Sequence, residues 1–252
     1  MSTITNSLYP KIEIFETRKM MGENAAEKVA LKIIKVLESR SEINIVFAAA
    51  PSQDEFLAAF IKQNLPWEKI NAFHMDEYVG LDKEAPQGFG NFLRDRIFGL
   101  HNFKSVHYLN GNEANPSIET ERYTQLLKNH PVDMVCLGIG ENGHLAFNDP
   151  PVADFEDKQA VKLVELDEAC RQQQVNDGCF SDIEQVPTHA LTLTIPSLIN
   201  AKYLFCIVPG IRKAEAVFNT LDKPISHEFP STILRNHDET IIFLDRESSS
   251  LL

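Results

Sequence analysis

Several features that define whole classes of proteins are missing from this sequence. Its four cysteines have neither CxxC spacing nor the density of a disulfide framework. No apolar run approaches the ~20 residues that a membrane helix needs, and no cationic and apolar leader precedes Lys11. We therefore expect a cytoplasmic protein without a disulfide scaffold, a membrane span or a secretory signal.

Positive charge is also in short supply. The chain has 24 Lys and Arg residues against 36 Asp and Glu residues, which gives a formal net charge of −12. Its basic residues are scattered rather than clustered, so we expect neither nucleic acid nor an anionic membrane as a partner. An anionic substrate would need a local pocket of positive groups, helix N-termini or backbone amides.

The remaining composition is that of an ordinary globular protein, with 43% hydrophobic residues and no repeat or low-complexity segment. Apolar strand patterns, such as 11–15 and 43–50, alternate with helical patterns, such as 17–39 and 53–63. This alternation predicts one α/β domain over residues 1–252. We expect a Rossmann-like, doubly wound, mainly parallel sheet with helices on both faces.

The stretch MVCLGIGENGHLAFNDP, residues 134–150, carries the densest set of polar candidates. MVCL predicts a buried strand, and glycines after it allow close approach of a ligand to the backbone. A histidine and a nearby carboxylate, here His144 and Asp149, can form a proton-transfer pair. The alternative is that His144 only bonds the loop and Asp149 caps a turn, but Asn142 and Asn148 crowd the same segment and favour chemistry.

Two other predicted strands end in polar residues. INAFHMDEYVGL, residues 70–81, reads as a third strand with Asp76 near its end, either as a catalytic carboxylate or as a cap of the following loop. Ser52 follows the strand 43–50 and is a good N-cap for the next helix, whose amides could hold an anion. Since parallel strands place their carboxyl ends at one edge, these groups should share a crevice with His144.

GIGENGHLAFNDP and MDEYVGL together resemble the central motifs of the glucosamine-6-phosphate deaminase (isomerase) family, which is related to the 6-phosphogluconolactonases. The resemblance covers roughly residues 12–245. It implies that His144, oriented by Asp149 and Asn142, opens the sugar ring, and that Asp76 moves a proton between C2 and C1. The family usually has Asp at position 142 and Glu at 149, so we expect a weakened or redirected ring-opening step. The implied reaction converts glucosamine 6-phosphate to fructose 6-phosphate and ammonia, with no metal or organic cofactor.

The same resemblance implies the substrate-binding residues, with departures. Ala50, Pro51 and Ser52 stand where the family has a glycine-rich phosphate loop, and proline removes one amide donor. Lys213 takes the position of a lysine that would hold an anionic group, and Gly140 lines the central loop. Arg235 could replace a missing phosphate arginine, although a surface ion pair is the alternative.

Three functions remain open on the sequence. The first is the deaminating isomerase acting on glucosamine 6-phosphate or a close relative. The second keeps this chemistry but uses a different or unphosphorylated amino sugar, as the altered phosphate loop would allow. The third is a non-catalytic sugar-binding protein. A homo-oligomer is also open, since family members range from monomers to hexamers.

Overall fold

A large, mostly parallel sheet organises the chain. The computed structural model describes residues 2–4 and 10–252. Within them, eight strands follow the spatial order β1-β2-β11-β10-β7-β3-β4-β6, and all neighbours are parallel except β1 and β2. These strands are β1 (Ser2–Ile4), β2 (Lys11–Phe15), β3 (Ile43–Phe47), β4 (Ile70–His74), β6 (Ser105–His107), β7 (Met134–Leu137), β10 (Tyr203–Val208) and β11 (Thr240–Asp245).

Both faces of the central strands of this sheet are buried. Along β3, Ile45 and Phe47 belong to one apolar layer and Val46 to the other, as the two-residue period of a strand requires. The layers are completed by α1 (Arg18–Leu37), α2 (Asp54–Phe60), α3 (Phe89–Leu93), α4 (Pro116–Asn129), α5 (Glu168–Asn176), α6 (Ile195–Ile199) and α7 (Ala214–Asp222). The predicted doubly wound α/β fold is confirmed.

Four adjacent strands prepare the functional edge of the sheet. β10, β7, β3 and β4 lie side by side and point the same way, so their carboxyl ends open on one crevice. The segments that follow them carry, in that spatial order, Lys213, the 138–149 loop, Ser52 and Asp76. The strand order thus brings together segments that are far apart along the chain.

A second, smaller sheet was not predicted. β5 (Asp76–Tyr78), β9 (His189–Leu193) and β8 (Val161–Glu165) pair antiparallel in the order β5-β9-β8. The prediction of one strand over 70–81 was therefore wrong: β4 ends at His74, and the chain passes through Met75 into the other sheet. The continuous apolar pattern hid this change, because both segments are fully buried.

None of the helices in the described ranges combines the length and the apolar composition that crossing a bilayer requires. The longest, α1, is amphipathic, and its N-cap is Thr17, whose side chain accepts a hydrogen bond from the Met20 amide. Its buried residues face the sheet, while Leu31 and Ile34 stay partly exposed.

Candidate active site

His144 is held by two side chains at once. Its Nδ1 lies 2.9 Å from Asn142 Oδ1 and 3.0 Å from Asp149 Oδ1. Asn142 Nδ2 donates to the same Asp149 oxygen at 2.8 Å, and the His144 amide donates to Asn142 Oδ1. Asn142 therefore ties imidazole and carboxylate together. With a proton on Nδ1 facing these acceptors, Nε2 is the nitrogen left for a substrate.

The backbone around His144 is built for this ring position. A Cβ atom on Gly140 would lie 2.2–2.3 Å from three atoms of the imidazole, so only glycine leaves room for the ring. Two residues beyond His144, Ala146 has a φ of 51°, a left-handed conformation that is uncommon outside glycine and costs energy. Such strain is typical of loops whose shape is dictated by a site.

The groups around Asp149 favour its ionised form. Burial acts to raise the pKa of this carboxyl, but attraction to His144, its hydrogen bonds with His144 and Asn142, and the nearby thiol of Cys170 outweigh burial, and the pKa lies below its usual value. Asp149 is therefore a carboxylate that stabilises a positive charge on His144. An imidazole so supported can accept and return a proton.

Asp76 has the opposite environment. It is 6% exposed, and its Oδ1 has no hydrogen-bond partner among the described residues. Burial, with a smaller contribution from the negative charge of Glu77, raises the pKa of Asp76 well above its usual value. A carboxylate of this kind is a stronger base than an exposed one, and its free oxygen faces no competing donor.

The backbone of Asp76 is fixed by a buried histidine. His74 Nε2 accepts from the Leu109 amide at 2.8 Å, so the proton lies on Nδ1, which donates to the Asp76 carbonyl at 2.9 Å. Burial lowers the pKa of His74 to about 4, and the ring therefore stays neutral near pH 7. The hydroxyl of Tyr123 further anchors the His74 backbone.

Strand β9 links the two candidate catalytic groups. Thr192 lies opposite Asp76 in the β5–β9 pair, and its hydroxyl accepts a hydrogen bond from the Phe147 amide in the His144 loop. Asn148 donates to the carbonyl of Leu193 on the same strand. The small sheet thus sets the position of Asp76 relative to the loop that carries His144.

Glu77, the neighbour of Asp76, has a structural role. Its carboxylate accepts from the amides of Tyr78, Phe89 and Gly90 at 2.8–3.0 Å. These bonds fix the start of α3, so Phe89 packs against Tyr78 and Phe147 at the cleft. Glu77 is thus satisfied by backbone amides, whereas Asp76 Oδ1 has no partner among the described residues.

Asp76 and His144 line the same cleft, with Asn142 and Asp149 behind His144. The cleft has a volume of about 60 Å³, well below the ~300 Å³ at which ligand pockets usually begin. A ligand of ordinary size would therefore extend into the open mouth or widen the cleft. We call the part formed by Asp76, Asn142, His144 and Asp149 the proton-transfer end.

A second part of the cleft lining, which we call the anion end, is formed by Ala50, Ser52 and Lys213, and Pro51 begins the turn that carries Ser52. The expectation that Ser52 caps a helix was wrong, because Pro51–Gln53 form a 3-10 turn and Gln53 precedes α2. The Ser52 hydroxyl instead lies 3.3 Å from Gln53 Nε2 and accepts from it. Pro51 is the first residue of this turn, and Ser52 is among the residues that line the cleft.

Lys213 is the cation of the anion end. It is 6% exposed, and burial lowers its pKa. Within the described ranges no carboxylate forms an ion pair with its ammonium group, and Asp177 and Glu141 act on it only through longer-range attraction. A buried cation without a close counterion favours an anionic ligand.

Arg235 lies outside the cleft, contrary to expectation. Its guanidinium donates to the carbonyls of Leu221, at 2.9 Å, and Lys223. These are the carbonyls at the end of α7, which a cation commonly caps. The Arg235 side chain is thus used locally and gives the anion end no second positive charge.

Several cleft residues were missed by sequence reasoning. Gln53 is buried and donates to the Ile207 carbonyl, while Gln173 accepts from the Glu141 amide. Sequence reasoning also missed Met75, Phe147, Cys170 and Gln174, which lie at or behind the cleft. Glutamines on a helix do not by themselves indicate a site. The run QQQ at 172–174 lies in a segment with buried neighbours and is a pattern that could have suggested one.

A larger cavity, of about 320 Å³, lies next to the cleft beyond Glu77. It is bordered by the 81–84 loop, by Arg94 and by Tyr108. It contains neither Asp76 nor His144. Its volume exceeds that of the cleft, but the groups suited to proton transfer lie in the narrower cleft.

The proton-transfer end also contains a set of metal-ligating atoms. Ligand atoms of His144, Asp149 and Cys170 all lie within 4.8 Å of one another. All three residues are buried. Their nitrogen, oxygen and sulfur atoms are the donors that zinc-class ions accept.

Fold and site define a class: a doubly wound α/β protein in which a buried carboxylate and an oriented imidazole line the same crevice at the carboxyl ends of the strands. The model of the family "Glucosamine-6-phosphate isomerases/6-phosphogluconolactonase" matches residues 16–243. The chain belongs to this family.

Relatives and solved structures agree with this assignment. The glucosamine-6-phosphate deaminase of Streptococcus pneumoniae (strain 70585) is 36% identical over 234 residues, which is 93% of this chain and 97% of the relative. A structure described as a monomeric glucosamine-6-phosphate deaminase superposes with a TM-score of 0.86 at 29% identity, covering 96% of this chain and 99% of the other. The 6-phosphogluconolactonase of Thermotoga maritima shares the fold, with a TM-score of 0.75 at 21% identity over 93% and 98% of the two chains.

Proposed function

We propose that the protein is a deaminating aldose–ketose isomerase that converts glucosamine 6-phosphate, or a close amino-sugar phosphate, to fructose 6-phosphate and ammonia. The observation that carries the proposal is that Asp76 and His144 line one cleft in complementary states. One is a buried base with a free oxygen, and the other is an imidazole oriented by a carboxylate. The named relatives support the same reaction class.

Ring opening is the first step. The sugar enters with its anomeric oxygen near His144, whose Nε2 takes the proton from O1 and delivers it to O5. Asp149 stabilises the imidazolium that forms between the two proton transfers, and the hydrogen bonds of Asn142 hold both side chains in position. The product of this step is the open-chain amino aldehyde.

Proton transfer between carbons follows. The aldehyde acidifies the neighbouring C2, and Asp76 as a carboxylate removes the C2 proton and returns it to C1 through an enolamine. The resulting ketose imine adds water and releases ammonia. His144 and Asp76 supply the proton acceptors for ring opening and for the C2-to-C1 transfer, and the remaining protons exchange with solvent. The apolar walls of Met75, Phe89 and Phe147 limit the access of bulk water.

Lys213 and the Ser52 hydroxyl would bind the 6-phosphate at the anion end. A buried ammonium that forms no ion pair with any described residue supports an anionic substrate group. The second candidate, an amino sugar without phosphate, is favoured by one specific observation: Pro51 removes an amide donor from the turn, and Arg235 lies elsewhere. The two candidates share the chemistry and differ only at this end of the crevice.

Ammonia release from a panel of amino sugars, with and without a 6-phosphate, tests the proposal. We expect release from glucosamine 6-phosphate, with kcat/KM at least roughly tenfold above that for glucosamine, as one charge-assisted contact would give. Equal turnover of both sugars would select the second candidate. Binding of the sugar phosphate without any release of ammonia would refute the enzymatic function.

A further inference from the structure

We infer that His144, Asp149 and Cys170 form an inhibitory site for a thiophilic divalent cation of the zinc class. The inference concerns an ion that competes with the proposed proton transfer, and it does not require a resident metal cofactor. The three residues come from two separate segments, the central loop and α5, and the fold brings their ligand atoms within 4.8 Å of one another.

The spacing suits one metal ion. Zinc lies about 2.0–2.3 Å from nitrogen, oxygen and sulfur ligands, so tetrahedral ligands are separated by roughly 3–4 Å. His144 Nδ1 and Asp149 Oδ1 are already 3.0 Å apart. A small movement of Cys170 Sγ would complete three protein ligands, and water from the cleft would take the fourth position.

The donor set selects the kind of ion. A thiolate is a soft ligand that favours zinc-class ions over magnesium or calcium, which prefer oxygen. Cys170 is assigned to the site because it is buried next to Asp149. The half-buried Cys179 lies outside the cluster. The cleft, which His144 lines, provides the entry path for the ion.

Binding of the metal ion requires only proton transfers and no change of oxidation state. The Cys170 thiol loses its proton to solvent and ligates as thiolate. The neutral imidazole moves its proton from Nδ1 to Nε2 through solvent, so the Nδ1 lone pair becomes free for the ion. Asp149 ligates through the oxygen that previously accepted from His144 and Asn142. The ion thus occupies the position of the proton that orients His144, and ring opening stops.

Cobalt provides a probe that does not depend on turnover. Tag-free, chelator-treated protein is titrated with Co²⁺ alone, and the absorption spectrum is recorded for the parent, Cys170→Ser and Cys179→Ser. We expect a near-ultraviolet thiolate-to-cobalt band in the parent and in Cys179→Ser. Cys170→Ser should lose the band and bind Co²⁺ at least roughly tenfold more weakly.

Two further measurements keep the result interpretable. Zn²⁺ should raise the thermal midpoint of the parent and of Cys179→Ser but not of Cys170→Ser, whose folding is checked by circular dichroism. If Cys170→Ser does not fold, Asp149→Asn is compared in the same way. No thiolate band in the parent, or a band that disappears only in Cys179→Ser, overturns the site. If the protein releases no ammonia but shows the Cys170-dependent band, the proposed function fails and the metal site stands.

Discussion

The two ends of the crevice are held in different ways. At the proton-transfer end, His144 and Asp149 share a network with Asn142, and the backbone of Asp76 is anchored by the buried imidazole of His74. At the anion end, Ser52 accepts one weak hydrogen bond and Lys213 forms no ion pair within the described residues. The side chains proposed for proton transfer are thus held in place before any ligand binds. Ser52 and Lys213 are held less firmly, so the order at the anion end depends on the ligand. Substitutions at the first end should lower kcat, and those at the second should raise KM.

The largest effect is expected from Asp76→Asn. An amide cannot accept the C2 proton, so kcat for ammonia release should fall by roughly 10²–10⁴-fold. Binding of the sugar phosphate, measured by calorimetry, should change little. A variant that keeps kcat within a few-fold of the parent would remove Asp76 from the proton-transfer end.

Asp76 should also limit activity at low pH and cost stability at neutral pH. The pKa of Asp76 in the folded protein is raised above 3.8. As the pH is lowered, kcat/KM should therefore begin to fall at a higher pH than it would if the base had the usual pKa of an Asp. As pH rises, the Asp76 carboxyl ionises at a lower pH in the unfolded chain than in the folded protein. The free energy of unfolding therefore falls as pH rises from 3.8 toward the raised pKa. Asp76→Asn removes the charge and should raise the thermal midpoint more at pH 7 than near pH 4. An equal shift at both pH values would contradict the raised pKa.

Gly140→Ala and Gly138→Ala form a matched pair. The new Cβ at position 140 would overlap the imidazole of His144, so kcat/KM should fall about 10²-fold through kcat. At position 138 the new atom would lie 3.1 Å from Gln53 Nε2 and 3.7 Å from the Ser52 hydroxyl. That change should act on KM. If both variants affect the same kinetic constant, the two ends are not separable.

Lys213→Met tests the anion end. Loss of the ammonium should raise KM for a phosphorylated sugar by roughly 10–100-fold and leave kcat nearly unchanged. Arg212→Met is the matched control, because Arg212 is exposed and its guanidinium donates to the Asn176 carbonyl. Equal effects of the two substitutions would indicate a general influence of positive charge rather than a contact at the anion end.

The smallest effect is expected from Asn142→Asp. The substitution replaces the amide that donates to Asp149 by a second carboxylate, which should hold the imidazolium form of His144 more firmly. We expect the pH profile of kcat/KM to shift to higher pH, with kcat changed only a few-fold. An unchanged profile would show that Asn142 acts on geometry alone.

The sequence predicted the proton-transfer end better than the anion end, for a physical reason. Gly140, His144 and Asp149 lie in one short loop, so their proximity is local. Asp76 is separated from them by many residues, but parallel strands collect their carboxyl ends at one edge, and the alternating pattern was enough to expect this.

Other features depend on contacts that a single sequence does not display. The β5–β9 pair, which joins Asp76 to the His144 loop, is only three residues long. Ser52 was misjudged because Pro51 starts a 3-10 turn before α2. Arg235 was misjudged because a guanidinium satisfies nearby carbonyls as readily as phosphate. Gln53 and Gln173 are held by hydrogen bonds to backbone groups that are distant along the chain, which a single sequence does not display.

The central claim is that Asp76 and His144 act on one substrate in one crevice, and a double-mutant cycle on ammonia release from glucosamine 6-phosphate tests it most directly. The parent, Asp76→Asn, His144→Gln and the double variant are compared after circular dichroism has shown that each is folded. We expect each single variant to lose at least about 10²-fold in kcat and the double variant to lose far less than the product of the two losses. Full multiplication of the two losses, or normal turnover in either single variant, would contradict a shared site.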